Sequence, residues 1–195
     1  MKMSRSPMIR RHLALFTNAG LTTAFALCIW ANQVRALDSI AFDLGTVSGD
    51  SDAERFGIAL KWDWDAQWFA DGDWYLGGYW EFGATYWDGE KGRRGGDSLG
   101  DFSITPVLRF QSKVSSTLSP FLEFGLGAHV HTDDSIDNKD FDIPFAFGSH
   151  LGGGVKFGSR QQYEIIYRYQ HLSNAGLGDD NPGINFHVLN IGYRF

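Results

Sequence analysis

The sequence contains 195 residues, of which 17 are basic and 23 acidic, and its formal charge is −6. This charge argues against a nucleic-acid partner, because such partners are bound largely through an excess of Lys and Arg side chains. Cys28 is the only cysteine, so the chain forms no internal disulfide and must be held together by packing and hydrogen bonding.

The N-terminal residues have the pattern of a secretory signal peptide. Basic residues precede an apolar run over residues 13–30, and the segment Val34-Arg35-Ala36 suits cleavage after Ala36. A membrane anchor helix is the alternative, but several polar residues dilute the run. We therefore predict a signal peptide over residues 1–36 and one exported domain over residues 37–195. The signal peptide removes five basic and no acidic residues, which leaves 12 basic against 23 acidic ones, a formal charge of −11.

The exported domain contains segments in which apolar residues alternate with polar or small ones over about ten positions, the length that a tilted strand needs to cross a bilayer. The apolar faces of the first six lie within residues 40–44, 56–64, 74–86, 102–110, 122–130 and 145–157. A seventh segment covers residues 163–173, and its aromatic face carries His171 and Ser173. In the last segment Leu189, Ile191, Tyr193 and Phe195 share one face.

This alternation has two interpretations. In a soluble sandwich the aromatic face would point into a core, whereas in an outer-membrane barrel it would point to lipid. The final strand ends on Phe195, and this ending resembles the C-terminal signature of bacterial outer-membrane barrels. We therefore predict an all-β fold, an eight-stranded antiparallel transmembrane β-barrel of the bacterial outer membrane. Its lumen would be just wide enough for side chains to fill.

The barrel interpretation also predicts a topology. With a periplasmic N-terminus, the loops near residues 46–52, 88–100, 132–144 and 174–184 lie outside the cell. The turns near residues 65–73, 112–118 and 158–161 are then periplasmic. Three of the four outside loops are longer than most of these turns, as such barrels prefer. His171 and Ser173 are therefore expected at the level of the outer leaflet.

His171 and Ser173 lie two positions apart on the predicted seventh strand, so their Cα atoms should be roughly 7 Å apart and their side chains on one face. An imidazole can then accept the hydroxyl proton, as a serine nucleophile requires of its general base. The alternative is a polar strand end that enters a loop. Both side chains would face lipid, where a polar group is energetically costly and usually has a function. We therefore favour the catalytic interpretation.

The motif around this pair resembles a known family. The segment His171-Leu172-Ser173-Asn174-Ala175-Gly176-Leu177, the later Asn181-Pro182-Gly183 and the terminal Gly192-Tyr193-Arg194-Phe195 are similar to the C-terminal motif of the PagL-type lipid A 3-O-deacylases. The resemblance implies an outer-membrane enzyme that hydrolyses the ester-linked 3-hydroxyacyl chain at the 3-position of lipid A. It implies Ser173 as the nucleophile and His171 as the general base. It further implies that Asn181 and backbone amides around Asn174 stabilise the oxyanion.

One position departs from the family pattern. The family has an acidic triad member on the final strand, where this chain has Asn185. Strand parity places Asn185 on the outward face, where it can lie beside His171 across the hairpin. A neutral amide can fix the imidazole tautomer but cannot stabilise the imidazolium by charge. Asp179 or Asp180 could substitute, although a loop orients a side chain poorly.

Other histidines have alternative interpretations. His129 and His131 with Asp133 and Asp134 could bind a metal, but a polar barrel interior is favoured, so we expect no metal and no cofactor. His187 shares the outward parity of Asn185, and a structural role and a substrate contact are equally compatible with that position.

We therefore predict a carboxylic ester hydrolase, a lipid A 3-O-deacylase of the outer membrane, with lipid A in lipopolysaccharide as its partner. Two alternatives remain open, a non-enzymatic structural or adhesive barrel and an outer-membrane phospholipase. The sequence does not indicate the oligomeric state or the acyl-chain preference.

Overall fold

The computed structural model describes residues 36–49, 51–89, 96–114 and 116–195. The predicted signal peptide falls outside these residues except for Ala36, so the division at residue 36 stays a prediction. Among the described residues, no helix is both long and apolar enough to cross a membrane.

The described residues form ten strands. Eight of them form a closed antiparallel barrel, namely β1 (Ser39–Val47), β2 (Ala53–Asp63), β3 (Trp74–Gly89), β4 (Ser98–Ser112), β5 (Leu118–His131), β8 (Phe145–Phe157), β9 (Tyr163–Ser173) and β10 (Ile184–Arg194). The short strands β6 (Ser135–Ile136) and β7 (Lys139–Asp140) form a small hairpin between β5 and β8. The predicted eight-stranded antiparallel barrel is confirmed.

The barrel closes without a free edge. Each barrel strand pairs with the neighbouring barrel strands along the chain, and β10 pairs with β1 through contacts such as Ile40 opposite Tyr193. The connections from β1 to β2, β3 to β4, β5 to β8 and β9 to β10 leave the barrel at one end, which we call the loop end. The predicted loops and turns agree with these connections to within a few residues.

The outer face of the barrel is apolar, as the alternation predicted. Phe42, Leu122 and Leu151 are 62%, 62% and 67% exposed, and they lie on the predicted apolar faces of their strands. Lipid solvates an apolar band of this kind well, and water does not.

The lumen is filled by charged side chains that pair with one another. Arg168 donates two hydrogen bonds of 2.8 Å to Glu81 and one of 2.8 Å to Glu123. Arg109 donates to Glu123 at 2.8 Å and to Glu164 at 2.9 Å. Buried charges are tolerated when each has such partners. The paired side chains form a network that fills the narrow bore.

The lumen becomes apolar at the loop end. A cluster of buried side chains caps the network there, and Trp87 and Phe186 contact each other with ring centroids 4.7 Å apart. Ile136 and Phe141 reach this cluster from the loop between β5 and β8. The loop thus covers the mouth of the barrel.

Two lumen glycines make room for histidine rings. A Cβ on Gly148 would lie 2.3 Å from His129 Nε2, and a Cβ on Gly125 would lie 2.3 Å from His150 Cε1. Any side chain at either position would displace a buried imidazole. Glycine at these two inward positions therefore suits the narrow bore.

Candidate active site

The β9–β10 hairpin brings His171 and Asn185 together on the outer face. The two residues are direct partners in the strand register, and His171 Nδ1 lies 2.7 Å from Asn185 Oδ1. An amide oxygen only accepts hydrogen bonds, so Nδ1 carries the proton and donates. In the neutral ring this leaves Nε2 with a lone pair, which is the form a general base needs.

Ser173 ends β9 on the same outward face as His171 and is half-buried. Phe147 of β8 is its register partner, while Ser149 of β8 lies opposite His171. Within the described part of the chain, no hydrogen bond joins Ser173 Oγ to His171. Such bonds are often long in substrate-free enzymes and shorten when substrate binds.

Gly183 lies against the ring of His171. Its φ is +60°, and a Cβ there would lie 3.1 Å from His171 Cε1 and 3.8 Å from Nε2. The left-handed backbone and the close contact both favour glycine at this position. The Asn-Pro-Gly segment therefore ends in the residue that leaves space for the imidazole.

Asn174 organises the loop that follows Ser173. Its side chain is buried and donates from Nδ2 to the carbonyl of Phe141 at 2.9 Å and to the carbonyl of Asp180 at 2.8 Å. Its Oδ1 accepts a hydrogen bond from the Gly176 amide at 2.9 Å. The side chain thus holds the turn and points away from the outer surface.

The two residues expected to stabilise an oxyanion are bonded to each other. The backbone amide of Asn174 donates to Asn181 Oδ1 at 3.0 Å. This amide therefore already has an acceptor. The Ala175 amide has no acceptor among the described residues, and Asn181 Nδ2 remains a donor. Ala175 has a φ of +54°, a strained conformation that orients its amide within the turn.

Comparison with known proteins identifies the family. Residues 54–194 match the model of the lipid A 3-O-deacylase (PagL) family. The chain belongs to this family. A curated relative, the lipid A deacylase PagL of Bordetella bronchiseptica, is 33% identical over 113 residues, which cover 58% of this chain. The match spans 60% of the length of that relative.

A solved structure extends the comparison to the whole barrel. The crystal structure described as the outer membrane enzyme PagL superposes with a TM-score of 0.71 and 26% identity, over 80% of this chain and 99% of the other. The predicted family, fold and outer-membrane localisation are therefore confirmed.

Within this PagL-family barrel, the outer face beside Asn185 contains a second hydrogen-bonded pair. Tyr167 and His187 are joined by a 2.6 Å hydrogen bond between the hydroxyl and Nδ1. They line an open groove of about 410 Å³ together with apolar side chains that include Leu44, Phe56 and Leu189. The strand register did not identify the Tyr167 contact in advance, because Tyr169 is the direct partner of His187.

The candidate acidic substitutes have other contacts. The backbone amide of Asp179 donates to Asp142 Oδ2 at 2.7 Å, and Asp180 Oδ1 accepts from the Asn181 amide at 3.0 Å. The acceptor that lies 2.7 Å from His171 Nδ1 is Asn185 Oδ1.

The two inward histidines of β5, His129 and His131, lie beside a carboxylate of β4. His129 Nδ1 lies 3.0 Å from Asp101 Oδ1, whereas Asp133 accepts hydrogen bonds from Ser135. Asp101 is far from the histidines in sequence, and only the pairing of β4 with β5 brings it opposite His131. The grouping of these histidines with Asp133 and Asp134, which the sequence analysis considered and did not favour, is therefore not the one that the described residues show.

Proposed function

We propose that this PagL-family protein hydrolyses the ester-linked 3-hydroxyacyl chain at the 3-position of lipid A. The observation that carries the proposal is the His171–Asn185 hydrogen bond of 2.7 Å, made on the outer face beside Ser173. It leaves a basic nitrogen at a position where a lipid ester in the outer leaflet can reach it.

Ser173 is the nucleophile in this proposal. Its Oγ attacks the ester carbonyl while His171 Nε2 accepts the hydroxyl proton, and the resulting imidazolium then protonates the departing sugar oxygen. The 3-hydroxyacyl group remains on Ser173 until a water, deprotonated by His171, releases it as a free hydroxy acid. The chemistry requires no metal at the reacting atoms.

The oxyanion is stabilised by the turn after Ser173. We assign this role to the Ala175 amide and the side-chain amide of Asn181, with Asn174 holding the turn in position. Removal of one such donor in other hydrolases costs about 3–4 kcal/mol of transition-state stabilisation. Asn174 therefore supports the turn with its side chain, and its backbone amide is not assigned to the oxyanion because it already donates to Asn181 Oδ1.

Asn185 positions the imidazole without adding charge. A carboxylate there would stabilise the imidazolium that forms during proton transfer, and the amide does not. We therefore expect turnover to be slower than an acidic residue at this position would allow.

The lipid-facing position supports lipid A as the substrate. The groove beside the site is mainly apolar and lies on the membrane-facing surface, which suits an acyl chain. A soluble ester would have to enter this surface from water.

Mass spectrometry of lipid A after incubation with the refolded barrel tests the proposal, with phosphatidylethanolamine as a parallel substrate. The proposal predicts loss of one 3-hydroxyacyl mass from lipid A and no fatty acid from phosphatidylethanolamine. Fatty-acid release from the phospholipid would instead indicate a phospholipase. Unchanged lipids with a folded barrel would indicate a structural protein.

A further inference from the structure

A second cluster of ionisable side chains lies in the lumen at the loop end. Asp101 on β4 and His129 and His131 on β5 are buried, with exposures of 1%, 2% and 5%. Asp101 is the register partner of His131, and His129 lies two positions before His131 on the same inward face of β5. Ser173 lies on the outer face, so this cluster is separate from the proposed active site.

The donor atoms of the cluster have the spacing of metal ligands. Asp101 Oδ1 lies 3.0 Å from His129 Nδ1 and 3.5 Å from His131 Nε2. One donor atom from each of the three residues lies within 4.8 Å of the others. Ligands of a tetrahedral ion at its usual bond lengths are about 3.3 Å apart, and the two separations from Asp101 Oδ1 lie on either side of this value.

His131 provides the independent observation. Neither of its ring nitrogens has a hydrogen-bond partner among the described residues. Its ring packs between Trp87 and Phe141, with centroid distances of 5.1 and 5.8 Å. Phenylalanine would fill this apolar space without burying unpartnered nitrogens, so a histidine here indicates that a nitrogen has a ligand to bind.

We propose that Asp101, His129 and His131 bind one divalent transition metal, for which Zn²⁺ is the best match. Two imidazoles and one carboxylate are ligands that Zn²⁺ accepts, whereas Ca²⁺ and Mg²⁺ prefer oxygen-only sites. The metal replaces the proton between His129 Nδ1 and Asp101, and a water completes the coordination.

Neighbouring side chains already orient the carboxylate. Thr85 Oγ1 donates to Asp101 Oδ2 at 3.2 Å, and Trp87 Nε1 donates to Thr85 Oγ1 at 2.9 Å. Hydrogen-bonded partners of this kind are typical around metal ligands, because they fix the direction of the donor atom.

The position of the site suggests its role. The ring of Phe141 packs on His131, and the carbonyl of Phe141 accepts the hydrogen bond from Asn174. A metal on His131 would therefore fix the loop over residues 132–144 and, through it, the turn after Ser173. The metal is structural, since it lies inside the lumen while the reacting groups face lipid.

Zn²⁺ titration of the refolded, chelator-treated protein by calorimetry, with Co²⁺ absorption as a second readout, tests the proposal. His131→Phe keeps the ring packing and removes both nitrogens, and we expect it to weaken binding at least tenfold. Asp101→Asn provides a second ligand variant, and His150→Gln, at an equally buried lumen histidine outside the cluster, should bind like the parent.

Thermal unfolding gives a readout that a merely structural histidine would not produce. Without metal, His131→Phe should be at least as stable as the parent, because it removes buried unpartnered nitrogens. At the same Zn²⁺ concentration, the midpoint should rise for the parent and should rise clearly less for His131→Phe. Equal Zn²⁺ affinity for the parent and both ligand variants, or no binding by the folded parent, would overturn the proposal. Neither readout depends on hydrolysis, so the result is independent of the proposed function.

Discussion

At the residue scale, the state of His171 depends on one atom of Asn185. The amide oxygen lies 2.7 Å from Nδ1 and holds the ring in the tautomer that a base requires. Asn185→Asp has the same shape and adds a negative charge next to the imidazolium. Because charge-assisted hydrogen bonds are worth about 1.5–3 kcal/mol, we expect kcat on lipid A to increase by about tenfold or more.

Asn185→Ala should have the opposite effect, because the imidazole loses its orienting partner while Ser173 and the turn are unchanged. We expect kcat to fall by about one to two orders of magnitude, as for removal of a hydrogen-bonded partner, with little change in KM. Equal turnover by the parent, Asn185→Asp and Asn185→Ala would contradict the orienting role of Asn185.

Gly183 allows a second test at this scale. Gly183→Ala should destabilise the protein by about 1 kcal/mol, the cost of a left-handed conformation with a side chain, and should also displace the His171 ring. Gly176 is the matched control, since its φ is +77° and no atom would lie within 4 Å of an added Cβ. We expect both variants to lose similar stability, measured by thermal unfolding, but only Gly183→Ala to lose most of its kcat. Equal activity of the two variants would show that contact with His171 is unimportant.

At the element scale, the loop over residues 174–183 depends on the loop over residues 132–144. Asn174 joins them through the Phe141 carbonyl, and the Asp179 amide joins them through Asp142. Asn174→Ala should therefore loosen the turn after Ser173, with faster limited proteolysis of this loop and lower kcat. Leu177→Ala, at a position that is 65% exposed, is the control and should resemble the parent.

The two readouts distinguish the possible roles of Asn174. Parent-like proteolysis combined with loss of activity would contradict the positioning role and would place Asn174 in direct contact with the substrate. Faster proteolysis with unchanged kcat would show that the order of this loop does not limit the reaction.

The strands could be predicted from the sequence, but the loop contacts could not. Alternation reports which face of a strand is apolar, and in an eight-stranded barrel that nearly determines the architecture. The β6–β7 hairpin and the inward side chain of Asn174 arise from tertiary contacts with Phe141 and Ile136. Such contacts have no periodic signal, so the sequence indicated oxyanion donors around Asn174 but not the buried side chain that holds the loop.

At the scale of the whole molecule, the barrel requires that the buried charges of the lumen stay paired. Glu123 accepts hydrogen bonds from both Arg109 and Arg168 and is 2% exposed. Glu123→Gln should destabilise the barrel by about 3–5 kcal/mol, because it leaves buried positive charge without its partner. Urea unfolding of the reconstituted barrel measures this loss, and Glu54→Gln, at an exposed position, should have little effect. A small effect of Glu123→Gln would indicate that water enters the bore and solvates the arginines.

The membership of this network was only partly predictable. Strand parity puts Glu123, Glu164 and Arg168 opposite the apolar faces of their strands, but parity does not specify which charges meet across the bore. The partnership of Asp101 with His129 is a further example, since it depends on strand pairing and on the rotamers of both side chains. The alternation did not predict the apolar cluster at the loop end. It assigns apolar side chains to the outer face, whereas Trp87 and Phe186 lie on the inward face.

The most direct test of the central claim compares two serines on either side of His171. Ser173 follows it on β9, and Ser149 is its register partner on β8. Lipid A would be incubated with the parent, Ser173→Ala and Ser149→Ala, each confirmed as folded, and its mass measured over time. We predict that the parent and Ser149→Ala remove one 3-hydroxyacyl chain and that Ser173→Ala removes none. Continued deacylation by Ser173→Ala would contradict the assignment of Ser173 as the nucleophile.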